Sequence, residues 1–114
     1  MNKIEAIIRP EKLASVKEAL VNAGFEGMTI TRSSGRGDNT GVIRSTGRGT
    51  GSYVDMTIEK VTLAIVVQDD DTDEVIDVIA NSARTGTPGD GRIFVSPILA
   101  TVRIDTGARD AESL

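Results

Sequence analysis

The sequence predicts a small α+β domain in which two β-α-β halves share one sheet and a long loop separates them. Three observations lead there. Two amphipathic stretches of helical period each follow an apolar, strand-like run. A glycine-rich segment without apolar period interrupts the middle. The 114 residues suffice for one domain with a limited core, which must come from Val, Ile, Leu and Ala, because Phe25, Phe94 and Tyr53 are the only aromatics.

The elements follow in order. Lys3 to Arg9 reads as a buried strand carrying Ile4, Ile7 and Ile8. Pro10 suits the first turn of a helix, where its missing N–H costs nothing. Leu13, Val16, Leu20 and Ala23 recur at helical spacing, with Lys12, Lys17 and Glu18 outward. Gly24 suits a left-handed cap. A second strand runs from Met28 to Ser33. From Gly35 to Thr57 no apolar period persists, and six of the twelve glycines lie between Gly35 and Gly51. A stretch this long is functional or disordered. Structure resumes at Ile58, and Lys60 to Gln68 is apolar on both faces in its second half, as in a central strand.

The second helix is expected near Asp71. Asp71 and Glu74 have capping-box spacing, and Asp73 adds charge that the helix dipole favours. This accounts for the acids from Asp70 to Asp77 better than a metal site does. Val75, Ile76, Ile79 and Ala83 form the buried stripe. After Arg84 comes a dense turn signal, Thr-Gly-Thr-Pro-Gly-Asp-Gly. Arg92 to Val95 is the next strand, which Pro97 bends or ends, and Ile98 to Asp105 is read as extended. The tail from Ala108 is expected to fray. The order is a ferredoxin-like split βαβ with residues 1–114 as one domain. Both helices would cover one face of the sheet. The other face is expected to be apolar enough to drive self-association.

Composition removes several function classes. There is no cysteine and no histidine. Thiol chemistry, Ser-His-Asp catalysis and the usual zinc sites are thereby excluded. Net charge is −4, which disfavours nucleic acid as main partner. No apolar run reaches the roughly 20 residues of a membrane span, and the N-terminus lacks a signal-peptide core, so the chain reads as cytoplasmic. Charge is uneven: between Arg32 and Gly51 four arginines face one acid, Asp38.

The sharpest motif is Thr85-Gly-Thr-Pro-Gly-Asp-Gly-Arg-Ile-Phe-Val95. Gly89 and Gly91 would let backbone N–H groups approach a ligand, successive amides can form an anion nest, and Arg92 adds a forked cation. The plainer reading is a tight helix-to-strand turn closed by Asp90.

That motif resembles a signature of the PII nitrogen-regulatory signal-transduction family. Ala6-Ile-Ile-Arg-Pro-Glu-Lys-Leu13, Gly24-Phe-Glu-Gly-Met-Thr-Ile-Thr31, Asp73-Glu-Val-Ile-Asp77 and Val102-Arg-Ile-Asp-Thr-Gly107 extend the likeness over nearly the whole chain. The resemblance implies a homotrimer that is not an enzyme, with ATP or ADP in clefts between subunits. Ile7, Met28, Thr29 and Val66 would line the adenine and ribose. Gly35, Arg36, Gly37 and Asp38 at the loop base would lie near the phosphates. Gly89, Asp90, Gly91 and Arg92 would form the phosphate turn, and Arg103 would reach in from the neighbouring subunit. The loop, about residues 36–57, would be the T-loop that docks partners, with Arg44, Arg48 and Tyr53 as contacts. The partner would be a protein, with a transporter or its ATPase subunit the family's habit. The signal would be a shift between loop conformers selected by the bound nucleotide.

Departures from the family pattern modify this. Gly35-Arg-Gly-Asp-Asn-Thr-Gly41 stands where the family has Gly-Phe-Gly-Arg-Gln-Lys-Gly. Asp38 replaces a phosphate-facing Arg. Asn39 replaces the Gln that helps hold Mg²⁺ and 2-oxoglutarate, which leaves Mg²⁺ with ATP an open question. Lys60 does match the family's effector lysine. Asp105 stands where a second Arg is usual, adding like charge near phosphates. The expectation is an energy-sensing member without 2-oxoglutarate sensing. The alternative is a full PII protein reading ATP and 2-oxoglutarate to control ammonium uptake or nitrogen metabolism. An acylphosphatase-like enzyme would need a phosphate-cradling loop after the first strand, which Arg9-Pro10-Glu11 does not offer. An RNA-recognition domain would need aromatics on its central strands.

Overall fold

The structure, a computed structural model, describes residues 1–35, 42–45, 52–55 and 58–114. Strands β1 (Asn2–Ile8), β2 (Met28–Gly35), β5 (Ile58–Val67) and β6 (Gly91–Pro97) form one antiparallel sheet in the order β2-β5-β1-β6. Helices α1 (Leu13–Asn22) and α2 (Thr72–Ala83) connect β1 to β2 and β5 to β6. This is the ferredoxin-like split βαβ arrangement that the sequence predicts, and β5 is central, as its apolar second half requires.

Alternation along the strands separates core from open face. On one face Ile4, Ala6 and Ile8 of β1 and Val61, Leu63, Ile65 and Val67 of β5 are buried. Val16 and Leu20 of α1 and Val75, Ile79 and Ala83 of α2 pack onto them. Each of the larger side chains adds about 1.5–3 kcal/mol by leaving water. Ile7 falls on the opposite face, which the strand period dictates and an isoleucine run alone does not reveal.

That opposite face is less apolar than expected. Ile7, Ala64 and Val66 alternate there with Lys3, Glu5, Thr29, Thr31 and Thr62. Lys3 and Glu5 pair across it at 2.7 Å. The most exposed apolar side chains lie along β6, where Phe94 is on this same face opposite Glu5, and in the segment beyond it. Phe94 and Val95 are about half exposed, and Leu99 and Ile104 almost fully so.

Both helices begin by one device. A 3-10 turn at Pro10–Lys12 is closed by the Lys12 N–H on the Arg9 carbonyl (3.0 Å), and one at Asp69–Asp71 by the Asp71 N–H on the Gln68 carbonyl (3.0 Å). The capping box expected at Asp71 and Glu74 is absent. Asp71 is itself helical (φ −93°, ψ −9°) and its side chain makes no cap bond. Thr72 instead donates to the Gln68 carbonyl.

Three further expectations change. Within the interval read as one long loop, β3 (Val42–Ser45) and β4 (Ser52–Asp55) pair as a two-stranded ribbon with Arg44 opposite Tyr53. The expected strand from Ile98 to Asp105 is a reversing segment: Val102 bridges Arg109, and the Arg103 N–H meets the Ala108 carbonyl at 2.8 Å. The tail does not fray. Asp110–Ser113 forms a 3-10 turn whose Asp110 N–H meets the Thr101 carbonyl (2.8 Å), and the Thr101 and Ser113 hydroxyls pair.

Candidate functional site

The register places three charged residues in a row at one end of the sheet. Ile8 pairs with both Val61 and Gly91. One step further along, Arg9 lies between Lys60 and Asp90. The chain then turns into α1 at Pro10, so the row ends where the helix-to-strand turn Arg84–Asp90 crosses it.

Asp90 organises that turn. Its Oδ2 accepts from the Thr85 N–H (2.8 Å) and the Gly86 N–H (2.9 Å). Its Oδ1 accepts from Arg9 Nε (3.1 Å) and the Thr85 hydroxyl. The Thr85 hydroxyl first, then these backbone N–H groups and Arg9, hold its carboxyl well below the usual carboxylate range. Arg9 reaches further: Nη2 donates to the Pro88 carbonyl (2.9 Å) and the Thr87 hydroxyl (3.2 Å). Lys60 Nζ donates to the Gly89 carbonyl. Burial, and then the neighbouring Arg9 charge, lower the Lys60 pKa below its ordinary value, with Glu11 and Asp90 opposing.

Gly91 opens β6 with φ +103°. A Cβ there would sit 1.7 Å from the Ile7 carbonyl oxygen. Its glycine is therefore required by the close approach of β6 to β1, whatever it offers a ligand. Arg92 is exposed and lies opposite Ile7 on the open face.

The other predicted residues gather elsewhere. Thr29, Val66 and Arg103 line an open cleft of about 950 Å³ between the open sheet face and the C-terminal segment. Met28, next to Thr29, packs against the core instead, so its backbone rather than its side chain is on that side. Arg103 Nε donates to Asp105 at 3.3 Å, with both side chains more than half exposed. Gly35 ends β2 opposite Ile58. Arg36, Gly37, Asp38, Asn39 and Arg48 lie outside the described residues. Among the described residues, no group of three or more carboxylates could hold a metal ion, and no helix is long and apolar enough to cross a membrane.

The structure thus brings together Ile7, Lys60 and the residues Gly89 to Arg92, and it brings together Thr29, Val66 and Arg103; Thr62, which pairs with Ile7, also lines the cleft, so the second group runs along the open face to the first. Sequence reasoning quoted Arg9, Thr85 and Thr87 within its motifs but gave them no role in the site. Arg9 stood at the end of the first strand and within the Ala6–Leu13 segment, and its place acquires meaning once the register sets Asp90 beside it.

Comparison with known proteins bears on what this arrangement is. The family model "Nitrogen regulatory protein P-II" matches residues 1–108. The chain is 47% identical to a nitrogen regulatory protein P-II of Synechocystis sp. and 48% identical to one of Microchaete diplosiphon, each over the full length of both chains. It is 49% identical to nitrogen regulatory protein P-II 2 of Methanothermobacter thermautotrophicus, over 94% of this chain and 91% of that one. With a match of this extent and a sheet of this topology, the chain belongs to the nitrogen regulatory protein P-II family.

Proposed function

We propose that residues 1–114 act as one signalling domain that assembles as a homotrimer, binds ATP or ADP between subunits and regulates a partner protein through the segment at about residues 36–57. The observation that carries this reading is the continuity of the two residue groups along one open face. Thr62, level with Ile7, and Val66 are four positions apart on β5, about 13 Å at strand rise, and both line the cleft. One group offers the Arg92 guanidinium and backbone amides suited to phosphates. The other offers a cleft with threonine hydroxyls and apolar side chains, suited to a base and sugar. A second copy docked along the exposed apolar residues of β6 would close this open face from outside.

Within this reading Ile7, Met28, Thr29 and Val66 hold adenine and ribose. Gly35, Arg36, Gly37 and Asp38 border the phosphates. Gly89, Asp90, Gly91 and Arg92 form the phosphate turn, and Arg103 enters from the neighbour. Arg44, Arg48 and Tyr53 contact the partner, such as a transporter or its ATPase subunit in the cytoplasm. The domain changes loop conformation according to the nucleotide and breaks no bond in it. Substitution of Asp38 and Asn39 for the family's Arg and Gln, and engagement of Lys60 by the Gly89 carbonyl, support a member that does not sense 2-oxoglutarate.

Calorimetry and sedimentation of the full chain test this. One ATP or ADP per chain, and three chains per particle, are the expected results. Absence of binding for both nucleotides would sink the reading. A micromolar 2-oxoglutarate site opened by ATP with Mg²⁺ would overturn its second half in favour of a full nitrogen sensor controlling ammonium uptake or nitrogen metabolism.

A further inference from the structure

An aspartate in a turn that receives phosphates is a chemical puzzle, because two like charges at contact distance repel. The geometry resolves it. Both Asp90 oxygens are occupied, each by two donors: Thr85 and Gly86 N–H on one, Arg9 Nε and the Thr85 hydroxyl on the other. The carboxylate faces into its own turn, and Arg9 offsets its charge.

The carbonyls of the turn are likewise engaged. Pro88 O accepts from Arg9 and Gly89 O from Lys60. Both peptides are trans, so the N–H of each points opposite to its C=O. Drawing the Pro88 and Gly89 carbonyls toward the two cations therefore aims the Gly89 and Asp90 N–H groups away from them. Among the described residues, neither N–H meets a backbone acceptor. Two consecutive N–H groups left open in this way offer a donor pair suited to an anion.

We propose that Asp90 is a positioning residue and its side chain is not a ligand contact: with Arg9 and Lys60 on the adjoining carbonyls, its carboxylate fixes the Gly89 and Asp90 N–H groups as a preformed receptor for the terminal phosphates of a nucleoside di- or triphosphate. The ligand's identity rests on the nucleotide reading above, while the clamp rests on the hydrogen bonds alone. Asparagine does not reproduce the aspartate. In one orientation its NH₂ faces the Thr85 and Gly86 N–H groups; in the other it faces Arg9 Nε, and only the Thr85 hydroxyl can turn to accept from it.

The test combines amide NMR of the ¹⁵N-labelled full chain with calorimetry using ATP, ADP and adenosine. In Asp90→Asn, ATP and ADP affinity should fall about tenfold or more, while adenosine affinity changes by less than about twofold. The ligand-free amide signals of Thr85, Gly86 and Gly89 should move toward coil positions. Thr85→Val should show a smaller loss in the same direction, and Thr85→Ser should restore it. Unchanged ATP affinity in Asp90→Asn would overturn the proposal, as would an equal loss for adenosine, which marks general unfolding of the site. Should Asp90→Asn fail to fold, the Thr85 pair decides in the same way. Should the wild type bind no nucleotide, the nucleotide reading fails by itself. The ligand-free amides then decide the clamp, which fails if Asp90→Asn leaves them in place.

Discussion

The chain makes the same kind of connection twice, from helix to antiparallel strand, and solves it in two ways. Between α1 and β2, Ala23–Gly27 is closed by backbone alone. The Phe25 N–H meets the Leu20 carbonyl (2.8 Å) and the Gly24 N–H meets the Val21 carbonyl (3.0 Å), with Gly24 at φ +94°. This is a Schellman cap, sealed by Phe25 against the core. Between α2 and β6, Arg84 leaves the helix extended (φ −70°, ψ 131°) and the seven residues Arg84–Asp90 are held by side chains. The first connection would form around any helix of its sequence. The second depends on Arg9 and Lys60, which arrive from other strands. A turn closed by its own backbone has spent its local donors, whereas one held through a carboxylate and two cations can present N–H groups outward. Preorganisation of this kind spares a ligand the cost of ordering the loop.

The largest effect that separates the two connections is at their glycines. Gly24 and Gly91 share nearly the same positive φ, +94° and +103°, but a Cβ meets nothing within 4 Å at Gly24 and a backbone oxygen at 1.7 Å at Gly91. Gly91→Ala must part β6 from β1 and should cost roughly 3–5 kcal/mol. Urea denaturation measures it, and a loss below that of Gly24→Ala would show that the strands can shift freely there.

Gly24→Ala isolates the conformational term. With open space around the new methyl, only the left-handed backbone is penalised, at about 1 kcal/mol. A loss as large as that of Gly91→Ala would break the comparison, since it would mean that the first connection also depends on packing.

The contrast also explains how far the sequence could be read. Gly24 was legible because a helical period that stops at Ala23 and a glycine that follows it are local facts. The order of the four main strands and two helices was legible from apolar period for the same reason. The Thr85–Arg92 turn was visible as a cluster of glycines, threonines and a proline, but its wiring was not. Arg9 and Asp90 are 81 positions apart, and only the pairing of β1 with both β5 and β6 lines them up. Asp71 misled in the opposite way. Its spacing to Glu74 fits a capping box, yet the preceding 3-10 turn already supplies the helix start and leaves Asp71 inside it. The C-terminal segment was misjudged because polar composition says nothing of the hydrogen bonds that Thr101 makes to Asp110 and Ser113.

The smallest expected effect carries the same contrast to charge. Asp90 is tied by four donors, and its charge is already answered within the turn. Asp105 is tied by Arg103 Nε, in a pair whose side chains remain 53% and 67% exposed. An exposed pair of this sort contributes about 0–1 kcal/mol. It therefore holds Arg103 weakly, and a phosphate seeking that guanidinium displaces Asp105 at small cost while still meeting its negative charge. Asp105→Asn removes the competitor and the repulsion together but leaves the backbone turn at Ile104–Thr106 its polar side chain. ATP affinity should rise about two- to fivefold, more than ADP affinity if Arg103 serves the far phosphate, and the gain should shrink as salt is raised. An unchanged affinity at low salt would mean that Arg103 does not reach the nucleotide. An increase as large as the decrease from Asp90→Asn would mean that the exposed pair is held as firmly as the clamp, and that the two carboxylates do not differ in the way their donors indicate.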